Sequence, residues 1–250
     1  MIDRKDERGV RVLTLSRPPA NMLDLASLRA LAAAAREAGA DPGVRAVVLR
    51  SALPKYFSAG LEASELLGPD GRPRAEPFEA LGEAFRAWLG CPKPTIAAIG
   101  GSARLGGCVL ALAFDFRFLA AETGRVSLSE VRLGLSPTPA VLARLAALGV
   151  TGVGVRQLVL KGRALRADEA LAAGLADRVV PAKALDEEAK GEARALAKLP
   201  PGAYAAVKRH LSRAAAPDGG GLWEESLTEF GRLLASDEAR EALGKAAARG

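Results

Sequence analysis

Two short glycine-containing turns are the segments whose residue types most clearly allow chemistry. Phe57-Ser58-Ala59-Gly60-Leu61-Glu62 follows one predicted buried strand and opens a helix, and Leu105-Gly106-Gly107 does the same after another. Such strand-to-helix turns leave backbone N–H groups unpaired, and glycine lets a ligand approach the backbone closely. Taken alone, each turn is a tight connection. If the two face one another, they form a pair of donors suited to an oxyanion, with the helix N-termini behind them adding partial positive charge.

Other catalytic patterns are incomplete in this sequence. The single histidine, His210, lies beside Lys208 and Arg209 in a basic helix and is predicted to face solvent. Catalysis by Ser-His-Asp or Cys-His is therefore excluded. Tyr204 and Lys208 have the YxxxK spacing of short-chain dehydrogenases, but the glycine-rich start of that family is missing, so the spacing is interpreted as chance. Neither GxGxxG after the first strand nor GxxxxGK[ST] is present.

Composition limits the remaining classes of protein. The chain has 250 residues, 49% of them hydrophobic and only 4% aromatic, which favours an α/β protein with a core of small aliphatic side chains. The net charge of +6 is spread along the chain without a dense basic block, so no nucleic-acid partner is predicted. This charge either suits a nucleotide phosphate or has no role. Cys91 and Cys108 lack metal-ligand spacing, and no membrane-length apolar span occurs, so we expect a cytoplasmic protein without a bound metal.

The turns are positioned by alternating strands and helices. Asp24 is a predicted N-cap for the first helix. Beyond residue 182, three or four amphipathic helices form a predicted assembly element that docks either on the core or on a neighbouring subunit. The predicted strands cover residues 9–16, 44–50, 95–99, 114–120, 126–128 and 176–180, the predicted helices cover residues 25–38, 78–89 and 108–113, and residues 68–77 form a surface loop.

Ordered segments across nearly the whole chain resemble the enoyl-CoA hydratase/isomerase, or crotonase, superfamily. The resemblance implies a crotonase-like α/β spiral of ββα units over residues 1–195 and a C-terminal helical trimerisation region over residues 196–250. It also implies a homotrimer or a hexamer of paired trimers, and an acyl-CoA thioester substrate whose CoA is not a separate cofactor. The matching segments are Leu15-Ser16-Arg17-Pro18-Pro19 with Asn21, residues 57–61, residues 93–99, Gly106-Gly107-Cys108 with Asp115, residues 129–135 with Pro137, and residues 167–180.

The resemblance assigns roles to residues of both turns. In the family, two backbone N–H groups hold the thioester oxygen, and these fall here on Leu61 and Gly106. Ala59 and Ala20 fall where CoA contacts the chain. The substrate-binding set that the resemblance implies is completed by Gly60 and Val109.

The predicted reaction depends on the carboxylates. Family hydratases use two glutamates, and the first position is occupied here by Val109, which can neither accept nor donate a proton. The second position falls on Glu130. Family 3,2-enoyl-CoA isomerases can work with one glutamate, which takes a proton from C2 and returns it to C4, and they share the Pro-Pro-x-Asn, Ala-Gly-Leu and Gly-Gly-Cys segments with this chain. We therefore predict an enoyl-CoA isomerase with Glu130 as its only catalytic carboxylate, its pKa raised by burial beside Val109.

Two alternatives remain open at this level. One is a hydratase or lyase whose water is held by another group, and the other is an acyl-CoA-binding homologue without catalysis. The chain also departs from the family pattern: Leu105 replaces the first of three glycines, Glu62 replaces an aspartate, and Thr138-Pro139 replaces a glycine pair. Thr138 lacks the acid that dienoyl-CoA isomerases carry, and Arg104 is unusual for a segment that lines a pocket.

Overall fold

The computed structural model of the protein describes residues 2–68, 72–215 and 221–247. Its strands are β1 Ile2–Glu7, β2 Val10–Leu15, β3 Met22–Leu23, β4 Ala46–Ser51, β5 Tyr56–Ser58, β6 Gly60–Leu61, β7 Thr95–Ile99, β8 Ser102–Arg104, β9 Phe116–Ala120, β10 Arg125–Ser127, β11 Leu165–Arg166 and β12 Arg178–Val180. They form a six-stranded sheet in the order β1-β2-β4-β7-β9-β12, a four-stranded sheet in the order β11-β10-β8-β5, and the pair β3-β6.

Helices follow the strands in a repeating order. They are α1 Leu25–Ala40, α2 Ala63–Leu66, α3 Glu76–Leu89, α4 Gly106–Leu112, α5 Pro139–Ala147, α6 Gly152–Val155, α7 Ala167–Ala172, α8 Leu185–Leu196, α9 Pro201–Ala215, α10 Gly221–Leu234 and α11 Asp237–Ala247. Two 3₁₀ helices cover Glu130–Leu133 and Ala182–Ala184, and a π-helix covers Arg156–Leu160.

Three consecutive strand pairs generate the spiral. β4, β7 and β9 enter the large sheet in parallel, and the strand after each of them, β5, β8 and β10, enters the small sheet in parallel. A helix then returns the chain to the large sheet, as α3 does after β5 and α4 after β8. Each unit is therefore ββα, and its second strand leads to the helix whose start borders the site described below.

The large sheet is buried on both faces, as parallel sheets covered by helices usually are. One face packs against α8, where Ile96 and Phe118 meet Leu185 and Ala189. The opposite face packs against α1 and α3 in the main core, which includes the fully buried Trp88. No side chain of β7 reaches the surface.

The sequence-based elements agree with the structure at most positions, and β7 has the predicted bounds. The strand β1 was not predicted, because five of its six residues are exposed and no apolar alternation marks it. It is held instead by antiparallel backbone pairing with β2 along its whole length. The short strands β5 and β8 also went unpredicted; each has three residues and lies beside one of the glycine turns.

The C-terminal helices dock on the same chain in this structure. α10 packs against α5 and α3, and α11 packs against the 3₁₀ helix that starts at Glu130. The predicted boundary between residues 195 and 196 falls in the last turn of α8. In the described ranges, no helix combines the length and apolarity that crossing a bilayer requires.

Candidate active site

The two glycine turns are in direct contact. A β-carbon at Gly106 would lie 3.3 Å from the backbone nitrogen of Leu61, and one at Gly60 would lie 3.2 Å from the backbone nitrogen of Gly106. Gly60 also has a φ of 106°, which glycine adopts without steric cost. The turns therefore face one another, which is the condition for a pair of donors, and the N–H groups of Leu61 and Gly106 belong to one small region of backbone.

The first turn is held from behind by the loop that follows β2. Asn21 is buried, and its Nδ2 donates to Ser51 Oγ at 2.8 Å and to the carbonyl oxygen of Phe57 at 3.0 Å. Ser58 Oγ donates to the carbonyl oxygen of Asn21 at 2.7 Å, and the Ala59 N–H donates to the carbonyl oxygen of Ala20 at 3.0 Å. These bonds fix the backbone conformation of the turn before any ligand binds.

The second turn contains a residue in an unfavourable conformation. Leu105 has φ 49° and ψ −127°, in a region that only glycine occupies readily. Holding leucine in this conformation costs on the order of 1–3 kcal/mol. Gly107, the second glycine after Leu105, packs so closely against Ser58 that a β-carbon would lie 2.4 Å from the Ser58 carbonyl oxygen. The start of α4 is thus pressed against β5, which keeps the two turns together.

Glu130 begins the 3₁₀ helix that follows β10. The helix ends at Gly134, whose φ of 68° lets its N–H donate back to the carbonyl oxygen of Glu130, and the N–H of Leu135 donates to the same oxygen at 3.0 Å. A β-carbon at Gly134 would lie 2.9 Å from the Ala239 nitrogen, so α11 lies directly against this turn. The position of Glu130 is therefore set by β10 on one side and α11 on the other.

Burial changes the acid strength of Glu130. The residue is 8% exposed, and its Oε2 has no hydrogen-bond partner among the described residues. Because burial disfavours the charged form, the pKa of Glu130 is raised from 4.5 to about 7, which confirms the predicted direction. A carboxyl group with a pKa near neutrality can both accept and return a proton at physiological pH.

One cavity of about 360 Å³ brings the turns and Glu130 together. Its walls are mostly apolar, and Glu130 is the only carboxylate in its lining within the parts of the chain that the structure describes. Two predicted contacts, Ala20 and Gly60, lie outside the lining and instead shape the first turn. The predicted residues that line the cavity are Glu130, Leu61, Gly106, Ala59 and Val109.

An aromatic wall of the cavity was missed by the sequence interpretation. Phe78 of α3 stacks on Trp223 and Phe230 of α10, with ring centroids 5.4 Å and 4.0 Å apart. Gly82 makes this possible, since a β-carbon there would lie 1.9 Å from the Trp223 ring. The only sequence signal for this wall was an apolar face on α10. In the structure this helix, interpreted from the sequence as part of an assembly element, encloses the cavity.

Tyr204 and Lys208 have a structural role away from the cavity. Both lie on one face of α9 and bind the same oxygen, Asp115 Oδ2, at 3.1 Å and 2.9 Å. That oxygen also accepts from the N–H and the hydroxyl of Thr95. The YxxxK spacing therefore ties α9 to the large sheet, while His210 is exposed, as predicted.

Arg104, which the sequence marked as unusual for a segment that lines a pocket, has an aromatic neighbour. Arg104 lies at the cavity lining with its guanidinium 6.0 Å from the centroid of the Tyr56 ring, a cation–π contact that accounts for an otherwise unusual residue.

Throughout the described residues, no group of three or more His, Cys, Asp or Glu side chains has the arrangement of a metal site.

The family model for enoyl-CoA hydratase/isomerase matches residues 5–246. The chain belongs to this family. Enoyl-CoA hydratase/isomerase family activity on acyl-CoA is thus the general function, and the α/β spiral of ββα units predicted from the sequence is confirmed.

Relatives within the enoyl-CoA hydratase/isomerase family carry different reaction names. The probable enoyl-CoA hydratase EchA17 of Mycobacterium tuberculosis is 36% identical over 211 residues, which cover 84% of this chain and 79% of that protein. The carnitinyl-CoA dehydratase of Salmonella typhimurium is 36% identical over 199 residues, covering 78% and 74%. The human mitochondrial delta3-delta2-enoyl-CoA isomerase superposes with a TM-score of 0.90 at 25% identity, covering 99% of this chain and 97% of that one.

Proposed function

We propose that the protein moves the double bond of a 3-enoyl-CoA to position 2 by proton transfer through a single glutamate. The observation that carries this proposal is the cavity in which Glu130, buried and with a pKa of about 7, has no second carboxylate among the described lining residues. Val109 occupies the place where a second carboxylate would be needed for the family's two-glutamate hydration, and it lines the same cavity.

In the proposed reaction, Glu130 accepts a proton from C2 of the substrate. The electron pair of that C–H bond forms a double bond between C1 and C2, and the π pair of the thioester carbonyl moves onto its oxygen, which becomes negatively charged. The backbone N–H groups of Leu61 and Gly106 hydrogen-bond to this oxygen, and each such donor is typically worth about 3 kcal/mol of barrier. Glu130 then returns the proton to C4, which leaves the double bond between C2 and C3 and regenerates the carboxylate.

The apolar lining supports this assignment. A dry, preorganised site strengthens the interaction between the N–H donors and the developing oxyanion, and it keeps the pKa of Glu130 high enough for the proton to be returned. In this proposal CoA is carried as part of the substrate, with no separate cofactor.

We also propose that the chain assembles as a homotrimer or as a hexamer of paired trimers, which analytical ultracentrifugation would test.

The direct test uses purified protein and 3-hexenoyl-CoA. We expect the absorbance of the conjugated 2-enoyl thioester to appear at a rate proportional to enzyme concentration. Hydration of 2-hexenoyl-CoA, measured on the same preparation, should be slower than isomerisation. Hydration that is faster than isomerisation would overturn the assignment.

The pH dependence should report on Glu130. Because the carboxylate form must accept the first proton, kcat/KM should rise with pH and reach half its maximum near pH 7, the pKa of the free enzyme's base. Below about pH 6 the rate should fall roughly tenfold for each pH unit. A pH–rate profile in buffers of constant ionic strength measures this, and a flat profile across this range would show that another group is the base.

Replacing Val109 with glutamate should shift the balance toward hydration. Val109→Glu places a second carboxyl group on α4 in the cavity lining, where it can position water. We expect the ratio of hydration to isomerisation to rise at least about tenfold, within the usual range for one added acid–base group. Val109→Leu is the matched control and should leave the ratio unchanged. An unchanged ratio in a folded Val109→Glu protein would contradict the role assigned to this position.

A further inference from the structure

The cavity is open on one side and closed on another. Beside the first glycine turn its lining residues reach the surface, since Arg104 is exposed and Met22 and Tyr56 are partly exposed. The lining residues from α10 are buried, with Trp223 only 7% and Phe230 only 6% exposed. A thioester held at the turns would therefore have its CoA part on the open side, and its acyl group would extend toward the closed side.

Trp223 forms the closed side, and α3 fixes its position. The Trp223 ring stacks on Phe78 and Phe85, with ring centroids 5.4 Å and 6.1 Å away, and the Arg86 guanidinium lies 5.2 Å from the ring centroid. Gly82, between the two phenylalanines in α3, leaves the space that the indole occupies. Glycine inside a helix is less favourable than alanine, so the packing of Trp223 explains this residue. The indole is therefore a fixed wall of the cavity.

The space in front of this wall is small. A cavity of about 360 Å³ holds about twelve non-hydrogen atoms if each takes roughly 30 Å³, the volume of one water molecule in the liquid. The thioester oxygen and sulfur and the nearest CoA carbons must share this volume with the acyl group. An acyl chain of about eight carbons therefore fills the space that remains.

We propose that Trp223 ends the acyl site and restricts the protein to acyl-CoA thioesters with about eight acyl carbons or fewer. This inference rests on the proposed function, because it takes the cavity as the acyl site. Each methylene group that enters an apolar site raises the affinity about fourfold. That gain ends where the chain meets the indole, since a further methylene group must stay in water or displace a ring that α3 holds in place.

Binding of saturated acyl-CoA thioesters tests the inference without requiring any reaction. Isothermal titration calorimetry on the unmodified protein compares the butanoyl, octanoyl and dodecanoyl thioesters. We expect octanoyl-CoA to bind at least about tenfold more tightly than butanoyl-CoA, and dodecanoyl-CoA to bind no more tightly than octanoyl-CoA. An affinity that keeps rising up to the dodecanoyl thioester would overturn the proposal.

A smaller side chain at position 223 should extend the range of chain lengths. Trp223→Leu keeps the site apolar, and the affinity for dodecanoyl-CoA relative to octanoyl-CoA should rise at least about tenfold, the gain from roughly two further buried methylene groups. Phe230→Leu shortens the same aromatic wall with a smaller loss of volume and should shift the ratio in the same direction. It decides the question if Trp223→Leu does not fold.

A control on the same helix separates this effect from a general effect of changing α10. Gly231→Ala adds a methyl group where the described residues leave a β-carbon no neighbour within 4 Å, so it should not change the binding ratio. An unchanged ratio in folded Trp223→Leu and Phe230→Leu proteins would show that another part of the lining ends the acyl site.

The binding measurements also separate this inference from the proposed isomerisation. If the affinities follow the expected dependence on chain length but 3-hexenoyl-CoA is not isomerised, the proposed function fails and the inference about Trp223 stands. If 3-hexenoyl-CoA is isomerised but the affinity still rises from octanoyl-CoA to dodecanoyl-CoA, the inference about Trp223 fails and the proposed function stands.

Discussion

Replacing Glu130 with glutamine should lower the isomerisation kcat by roughly 10²- to 10⁴-fold, the range that general acid–base groups contribute. Glutamine has nearly the same shape but cannot carry the proton, so KM should change little. The cavity would keep both N–H donors, and binding of a CoA thioester, measured by calorimetry, should persist. The rate of appearance of the conjugated thioester measures the loss.

A matched control separates this effect from a general effect of removing a charge. Glu7 is an exposed residue of the edge strand β1, and Glu7→Gln should retain full activity. Glu130→Gln should also fold normally, because the change removes a carboxylate that burial disfavours. An active Glu130→Gln enzyme would require a different base, and inactivity combined with lost thioester binding would point to a disrupted cavity.

Replacing Asp115 with alanine should be the most destabilising of the changes considered, by about 3–5 kcal/mol in the free energy of unfolding. Asp115 Oδ2 forms an ion pair with the ammonium group of Lys208 at 2.9 Å. The side chain of Asp115 is 15% exposed and that of Lys208 is 8% exposed. Without Asp115 the ammonium group is left buried and uncompensated. Urea denaturation followed by circular dichroism measures the change.

A double mutant tests whether the buried charge causes this loss. Asp115→Ala combined with Lys208→Met removes both charges and should recover a large part of the stability, because no uncompensated ion remains. Asp168→Ala is the control. Its side chain is 72% exposed in a pair with Arg166, so its removal should cost far less stability than that of Asp115. If the double mutant is no more stable than the single one, the hydrogen bonds of Asp115 to Thr95 matter more than the charge.

The sequence indicated the residues proposed to react better than their enclosure. Glycines after predicted buried strands mark the two turns locally, whereas only the family resemblance marks Glu130, which by local pattern would be a surface glutamate. All three could be named without coordinates. The contact between Trp223 and Gly82 joins residues 141 positions apart, and nothing local to either residue indicates it.

Two other features also depend on contacts between residues that are far apart in the sequence. The spacing of Tyr204 and Lys208 was visible, but their shared partner Asp115 lies 89 and 93 positions away, so the spacing had no evident purpose. Thr138 was noticed only as a departure from the family pattern. Its buried hydroxyl makes no hydrogen bond among the described residues, and Ser226 accepts from the first turn of α5 in its place; both are properties of the folded chain.

Two of the three aromatic residues that enclose the cavity come from a different part of the chain than the residues proposed to react. The residues proposed as N–H donors and as the base all come from before position 131, whereas Trp223 and Phe230 come from one helix near the end of the chain. Substitutions in that helix can enlarge or narrow the room for an acyl chain without disturbing the turns at Gly60 and Gly106. A new substrate range could thus be acquired by exchanging a single C-terminal segment, while the residues proposed to carry out the reaction stay unchanged.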